Sequence, residues 1–278
     1  MPTDITDPEF LAKHQYASPE NLRLRQVLFE FQTPKISISE QAIKHLKLSG
    51  KENILDVGCG EGKSLIYLKH NLDHQGKLVG VDLSKGMFKE TEELAKKENL
   101  NIRFVEASAD TLPFPDECFD AVFSFFMIYH MPSIPKAFKE WARVLKKDGI
   151  LVIATNGENN RKRMHHFKEK IGEITNTNPP VNFSAAFNLE NAEIQLQKTF
   201  NIIDKVVFES KFILNQAQPY LDSLQSFKSA FSPSPKDNLW QEGLAKIKLE
   251  IEEEIKMKGK FVDSAESGFF ICKNKKDS

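Results

Sequence analysis

The sequence predicts an α/β protein built on a doubly wound, mostly parallel sheet of seven strands. The alternation of two kinds of segment leads to this fold class. Short apolar segments alternate with amphipathic helical segments between residues 53 and 155, which is the pattern of successive parallel βαβ units. Right-handed crossovers then place helices on both faces of the sheet. A chain of 278 residues is long enough to bury such a core.

The individual elements follow from hydrophobic periodicity and from turn residues. We predict strands at 53–57, 77–82, 102–107, 119–126, 149–155, 202–210 and 267–272. We predict helices at 19–31, 39–48, 64–70, 86–99, 134–145, 160–172, 189–200, 216–231 and 238–257. We therefore interpret residues 1–48 as an N-terminal helical extension and 49–278 as the main domain. Residues 211–260 would be a helical insertion before the last strand that caps the ligand cleft.

Composition limits the classes of function. The chain has 38 Lys and Arg against 39 Asp and Glu, a formal net charge of -1, which argues against a nucleic-acid partner. The longest apolar run, about residues 121–131, is too short to span a membrane. Three widely separated cysteines form neither a disulfide framework nor a metal site. We therefore expect a cytoplasmic protein without a bound metal.

A glycine-rich turn gives the strongest functional signal. Gly58, Gly60 and Gly62 follow the first predicted strand, and glycines let backbone N–H groups approach a ligand closely. Asp82 ends the next strand, about 20 residues later. A carboxylate at that place accepts hydrogen bonds from the two hydroxyl groups of a ribose. The pattern predicts that this part of the chain binds a nucleoside-containing cofactor.

The motifs resemble those of class I S-adenosylmethionine-dependent methyltransferases, in particular the quinone-biosynthesis and methyltransferase type 11 group. Residues 54–62, ILDVGCGEG, are similar to the first motif of that family, and 109–114, ADTLPF, to the segment that meets the adenine. Residues 119–122, 124–130 and 141–149 resemble its later landmarks. The resemblance implies a Rossmann-like methyltransferase fold, S-adenosylmethionine as cofactor and a small-molecule methyl acceptor. It defines no oligomeric state.

The resemblance also implies a set of site residues. The cofactor-binding residues would be Asp56, Gly58, Cys59, Gly60, Asp82, Leu83, Met87, Ala109, Asp110, Ser124 and Phe125. Tyr16 and Arg25 either close over the cofactor carboxylate or anchor the N-terminal helix. His130 is either a general base near the transferred methyl group or a structural histidine at a helix start.

Two further groups of side chains have a functional and a structural interpretation. The basic residues Arg161, Lys162, Arg163, His165 and His166 either hold an acidic substrate or form a solvated helix face, and the solvated face is the better prediction. The apolar residues Phe212, Tyr220, Leu224, Phe227 and Phe231 either line a substrate pocket or only pack against the sheet.

Three alternatives to small-molecule methylation stay open. The acceptor could be RNA or protein, although the charge balance and the absence of an Asn-Pro-Pro-Tyr motif after the fourth predicted strand argue against both. The chain could also bind S-adenosylmethionine without catalysis. A nicotinamide-dependent oxidoreductase ranks last, because that class requires the spacing Gly-x-Gly-x-x-Gly.

Overall fold

The sheet is the dominant element of the computed structural model, which describes residues 7, 11 and 19–273. Within these residues eight strands are hydrogen-bonded in the order β1-β7-β8-β6-β5-β2-β3-β4. The strands are β1 Gln32–Thr33, β2 Ile54–Val57, β3 Leu78–Asp82, β4 Ile102–Glu106, β5 Phe119–Phe125, β6 Leu145–Asn156, β7 Asn201–Leu214 and β8 Phe261–Lys273.

The helices of the described residues alternate with the strands in the first half of the chain. They are α1 Glu20–Gln26, α2 Ile38–Leu46, α3 Lys63–Leu72, α4 Lys85–Lys97, α5 Ile134–Val144, α6 Lys162–Thr175, α7 Ala192–Leu196, α8 Gln218–Gln225 and α9 Asp237–Lys258. No helix in this part of the chain is long and apolar enough to cross a membrane.

The chain divides into two compact units. One unit comprises residues 37–157, 186–207 and 267–278, and we call it the sheet unit. The other comprises residues 1–36, 158–185 and 208–266, and we call it the helical unit. Strands β7 and β8 each contribute residues to both units.

Parallel pairing organises the centre of the sheet unit. Strands β4, β3, β2, β5 and β6 are parallel neighbours, and β8 pairs with β6 in the antiparallel sense. All four residues of β2 are buried, because helices cover both faces of a parallel sheet. The chain proceeds from β2 outward through β3 to β4, and then returns to β5 on the other side of β2. The strand order therefore reverses between β2 and β5, where open α/β sheets bind ligands.

The predicted fold class is confirmed, with a different number of strands. Each of the seven predicted strands corresponds to one observed strand, and the additional strand is the two-residue β1, which pairs with Phe212 and Lys211 of β7. Strand β8 begins at Phe261 rather than at 267. The predicted helix at 189–200 is reduced to residues 192–196, and the predicted helix at 216–231 contains α8 followed by a short 3-10 turn at Lys228–Ala230.

The helical unit has an apolar core of its own. Helices α6, α8 and α9 bury aromatic side chains against one another, including Phe167, Tyr220 and Trp240. Edge-to-face packing joins the rings of Phe167 and Tyr220, whose centroids are 5.8 Å apart. Five of the 22 phenylalanines of the chain are buried in this core.

The spacing between β7 and β8 gives a stability prediction. A Cβ atom on Gly268 would lie 2.3 Å from the carbonyl oxygen of Val206, so Gly268→Ala forces the two backbones apart. We expect a loss of about 2–3 kcal/mol, measured as a fall of roughly 5 °C or more in the thermal midpoint. The control Ile203→Ala removes a half-exposed side chain from the same region and should move the midpoint by no more than about 2 °C. An unchanged midpoint for Gly268→Ala would contradict the close approach.

Candidate functional site

A glycine loop connects β2 to α3. Gly58, Gly60 and Gly62 have φ angles of 71°, 52° and 66°, a region that residues with a Cβ atom rarely adopt. The N–H groups of Gly58 and Cys59 both donate to the carbonyl of Val81, at 2.7 and 2.9 Å. The loop is thereby fixed to the end of the neighbouring strand β3.

The segment after β5 lies directly on this loop. A Cβ atom on Gly58 would be 2.5 Å from Cγ of Met127, so the glycine is required by packing as well as by its φ angle. Met127 follows Phe126, whose φ of 58° turns the chain sharply at the end of β5. The contact between Gly58 and Met127 joins the carboxyl ends of the two strands that flank the reversal of strand order.

Asp82 holds the glycine loop from the end of β3. Its Oδ2 accepts the N–H of Gly60 at 2.9 Å, and its Oδ1 accepts the N–H of Ser84 at 3.0 Å. Burial raises the pKa of Asp82, and the backbone hydrogen bonds from Ser84 and Gly60 oppose the rise. A carboxylate accepts up to about four hydrogen bonds, so Asp82 has acceptor capacity left for a ligand.

Asp56 is the second acidic group of the site. Its side chain is 2% exposed and accepts a hydrogen bond from the hydroxyl of Ser64 in α3. Burial raises the pKa of Asp56 to about 7, the Ser64 hydrogen bond opposes the rise, and the nearby charge of Asp82 adds to it. Asp56 is therefore close to half protonated at neutral pH.

Cys59 is held as a neutral thiol in the same loop. Burial raises the pKa of the Cys59 thiol well above its ordinary value, and the carboxylates of Asp56 and Asp82 raise it further. Cys59 is therefore not a nucleophile in the described structure, since the reactive form of cysteine is the thiolate.

The segment after β4 begins beside Asp82, because Ala107 N–H donates to the Asp82 carbonyl at 3.0 Å. The carbonyl of Ala109 accepts the indole N–H of Trp141 at 2.8 Å. Asp110 accepts the Ser108 hydroxyl at 2.8 Å and pairs with Lys136 at 3.1 Å. Partial burial raises the pKa of Asp110, but these two contacts outweigh it and hold the pKa below its ordinary value.

Ser124 has a buried hydroxyl near the end of β5. The residue is fully buried, and its Oγ has no hydrogen-bond partner among the described residues. A buried polar group without a partner costs stability, so such a hydroxyl is expected to meet a ligand or a water molecule. Phe125, the next residue, is partly exposed.

The remaining predicted residues have less distinctive surroundings. Met87 is buried near the start of α4, and Leu83 is partly exposed between Asp82 and Ser84. His130 ends a short 3-10 turn after β5, nearly buried, with its ring centroid 4.8 Å from that of Tyr129. No group of three or more His, Cys, Asp or Glu side chains in the described part of the chain is arranged for a metal ion.

The two N-terminal candidates differ from the rest. Tyr16 lies outside the described residues. Arg25 lies in α1 of the helical unit, where its guanidinium donates to the Ser226 hydroxyl at 3.2 Å and lies 4.5 Å from the centroid of the Phe227 ring. A role for either residue toward a cofactor stays a prediction.

The structure brings together the residues of β2, β3 and β5 that the sequence predicted, and adds others that it missed. Ser64, Ser84 and Trp141 each make a hydrogen bond to a predicted residue. The two serines could have been predicted from the sequence, because each lies at the start of a helix that follows a strand with an aspartate at or near its end. Trp141 and Met127 could not, because only the folded chain brings them to Ala109 and Gly58.

The segment that contains the glycine loop is similar to known methyltransferases. Residues 55–153 match the family model of a methyltransferase domain. The methyltransferase YcgJ of Bacillus subtilis, which is uncharacterized, is 32% identical over 112 residues, 40% of this chain and 43% of the relative. The demethylmenaquinone methyltransferase of Listeria welshimeri is 30% identical over 122 residues, 44% of this chain and 52% of the relative. The chain thus spans about half the length of the curated relatives it matches.

A solved structure extends the likeness of the fold to most of the chain. A candidate methyltransferase from Bacillus halodurans C-125 superposes with a TM-score of 0.60 and 20% identity, over 85% of this chain and 98% of the other. Together, the family match and the relatives show a methyltransferase domain at residues 55–153. The resemblance of the sequence motifs to S-adenosylmethionine-dependent methyltransferases is confirmed for this segment, and S-adenosylmethionine is the cofactor of that class.

The raised pKa of Asp56 predicts a pH-dependent stability. The folded protein binds the Asp56 proton up to about pH 7, whereas the unfolded chain loses it near pH 4. Between these values the unfolded state binds fewer protons, so rising pH costs stability, by up to about 1.4 kcal/mol per pH unit. Asp56→Asn should therefore raise the thermal midpoint of the cofactor-free protein near pH 8, with little gain near pH 5.

A matched variant separates this effect from a general change of charge. Asp148 is exposed, and Asp148→Asn should leave the midpoint unchanged at both pH values. Scanning calorimetry of the three proteins gives the comparison. An Asp56→Asn gain that is equal at both pH values would refute the raised pKa.

Proposed function

We propose that this chain transfers a methyl group from S-adenosylmethionine to a small organic acceptor. The observation that carries the proposal is the hydrogen bond from the Gly60 N–H to Asp82. It holds the glycine loop and the acidic end of β3 together at the reversal of strand order. The relative from Listeria welshimeri is a demethylmenaquinone methyltransferase, which supports a small-molecule acceptor.

The residues present fit the cofactor. Asp82 has acceptor capacity left for ribose hydroxyl groups, and the buried Ser124 hydroxyl has no partner among the described residues. Asp56, with a pKa of about 7, is poised to become an anion when a cation comes near. S-adenosylmethionine has ribose hydroxyls, a cationic sulfonium and an ammonium group. Ala109 and Asp110 lie in the segment that begins beside Asp82, and they would contact the adenine.

Methyl transfer from this cofactor requires little acid–base catalysis by the protein. When bound, S-adenosylmethionine would supply an electrophilic methyl group on a sulfonium that becomes a neutral thioether when the methyl is lost. The chain's own residues therefore act mainly by binding and orientation: the glycine loop and Asp82 fix the position of the cofactor, and the site aligns the acceptor for in-line attack. His130 would accept a proton from the acceptor where one has to leave.

The acceptor class has alternatives that one experiment separates. Protein incubated with S-adenosylmethionine labelled in the methyl group is offered a small-metabolite extract, total RNA or a protein lysate as acceptor. We expect label in the small-metabolite fraction. Label in RNA or in protein would replace the proposal with macromolecular methylation, and cofactor binding without transfer to any pool would favour a non-catalytic binding protein. The proposed location is cytoplasmic, which the three free cysteines support.

Asp82 gives the direct test of cofactor binding. Asp82→Asn keeps the shape of the side chain and an acceptor for Gly60, but removes the charge and one acceptor. We expect S-adenosylhomocysteine to bind about 10–100-fold more weakly by isothermal titration. The control Glu92→Gln changes an acid on the surface of α4 that pairs with Lys96 and should bind like the unaltered protein. Equal affinity of Asp82→Asn and the unaltered protein would refute the ribose role.

His130 gives a test of the chemical step. If His130 is the general base, His130→Gln should lower turnover by about 10²–10⁴-fold while the affinity for S-adenosylhomocysteine stays the same. His45→Gln is the control, because His45 is exposed and pairs with Asp204. Turnover of His130→Gln within about twofold of the unaltered protein would assign His130 a structural role.

A further inference from the structure

The helical unit contains a group of buried or partly buried basic side chains. It consists of Arg25 in α1, Arg161 just before α6 and Lys168 in α6, and we call it the buried cation cluster. Lys168 is 3% exposed and Arg25 is 8% exposed. Lysine is almost never this deeply buried unless it is paired, so a partner for Lys168 is expected.

Lys168 is the residue without one. Its Nζ has neither a hydrogen bond nor an ion pair within the described residues, and its documented neighbour is the Phe227 ring, whose centroid is 4.9 Å away. Burial, together with the positive charges of Arg25 and Arg161, lowers the pKa of Lys168 to about 7, and Glu169 opposes this shift. The ammonium group is therefore desolvated and close to other cations.

Arg25 contacts the same aromatic ring. Its guanidinium carbon lies 4.5 Å from the Phe227 centroid and 5.6 Å from that of Phe183. It also donates to the hydroxyl of Ser226 at 3.2 Å. One aromatic side chain thus lies within 5 Å of two cationic groups.

The start of α6 adds further positive charge. Arg161 has a φ of 54°, a strained conformation for a residue with a Cβ atom. Its guanidinium carbon lies 5.3 and 5.1 Å from the centroids of Phe29 and Phe212. Burial lowers the pKa of His165 to about 4, and Lys168 and Arg161 lower it further, so His165 is neutral.

The buried acid of this unit is already engaged. Asp263 is 2% exposed, and its oxygens accept the N–H groups of Arg163 and Ser264 and the hydroxyl of Tyr220. Glu169, the acid next to Lys168 in sequence, has an exposed side chain. Neither carboxylate makes an ion pair with Lys168.

A buried hydroxyl without a partner lies on the adjoining helix. Ser223 in α8 is fully buried, and its Oγ has no hydrogen bond in the described part of the chain. Ser223 precedes Ser226 and Phe227 by about one helical turn, so it lies on the side of α8 that Arg25 contacts. Ser223 and Lys168 are thus two buried donors of the same unit without an acceptor among the described residues, and such groups indicate that an acceptor is missing.

We propose that the buried cation cluster is a binding site for an oxyanion, a carboxylate or a phosphate, attached to an apolar body. Lys168, Arg25 and the Ser223 hydroxyl would bind the oxyanion, and the rings of Phe183 and Phe227 would contact the apolar part. All of these residues belong to the helical unit, and the proposal does not depend on the proposed methyl transfer. Of the basic residues around Arg161, Lys162 and His166 are exposed, as the predicted solvated face requires, whereas Arg161 and His165 are partly buried.

The test measures binding of three defined probes to the full-length protein. Octanoate, phenyl phosphate and inorganic phosphate are titrated separately by calorimetry near pH 7. We expect octanoate or phenyl phosphate to bind, and the better of the two identifies whether the site takes a carboxylate or a phosphate. Inorganic phosphate should bind at least about tenfold more weakly, because it lacks the apolar body. No binding of any probe up to about 10 mM would overturn the proposal, as would equal affinity for inorganic phosphate and phenyl phosphate.

Matched variants connect binding to the cluster. Lys168→Met keeps the length of the side chain and removes the charge, and should weaken binding by about tenfold or more. Ser223→Ala should weaken it by about three- to tenfold. Lys246→Met removes an exposed lysine of the same unit that pairs with Glu242 and should bind like the unaltered protein. Binding by Lys168→Met that equals the Lys246→Met control would overturn the assignment.

Two further measurements separate a binding role from a structural one. Lys168→Met should raise the thermal midpoint of the ligand-free protein, since an unpaired buried charge is removed; a lowered midpoint together with unchanged affinity would contradict the proposal. Near pH 8, anion binding should also take up protons, because the anion raises the pKa of Lys168 against the influence of Arg25, Arg161 and burial. Affinity for S-adenosylhomocysteine, measured on the same proteins, tests the methyltransferase proposal separately.

Discussion

The hydrogen bond between the Gly60 N–H and the Asp82 carboxylate is the constraint on which the candidate site depends. It can form only because β2 and β3 are parallel neighbours in register, so that a turn after one strand meets the last residue of the other. The left-handed glycines make the turn tight enough, and Met127 packs where a side chain on Gly58 would be. Residues that are distant in sequence thus become a single binding edge through ordinary sheet pairing.

Both units bury ionisable side chains at an electrostatic cost. The buried groups are acidic in the sheet unit and basic in the helical unit. In the sheet unit, burial works against the charged forms of Asp56 and Asp82. In the helical unit, burial works against the charged form of Lys168. Each arrangement lowers the stability of the free protein, and a ligand of complementary charge would relieve it. Such departures from good internal pairing are typical of functional sites, where stability is exchanged for binding.

The sequence predicted the parallel strands and the glycine loop because both leave local patterns: buried apolar runs with a period, and glycines at a strand end. It could not predict β1, since two residues carry no period and form a strand only because β7 lies beside them. It also could not recognise Lys168, because a lysine in an amphipathic helix normally points to solvent, and its burial is decided by α8, Phe227 and Arg25. Local sequence patterns do not reveal which distant residues become neighbours in the folded chain.

The surroundings of Cys59 have a consequence for redox chemistry. A thiol in the glycine loop would normally be vulnerable to oxidation and alkylation, since peroxide and electrophilic reagents attack the thiolate. Here two carboxylates and burial keep the sulfur protonated, so oxidants find little of the reactive form. Cys59 is therefore expected to react with peroxide more slowly than an ionised cysteine would, even though it lies in the glycine loop.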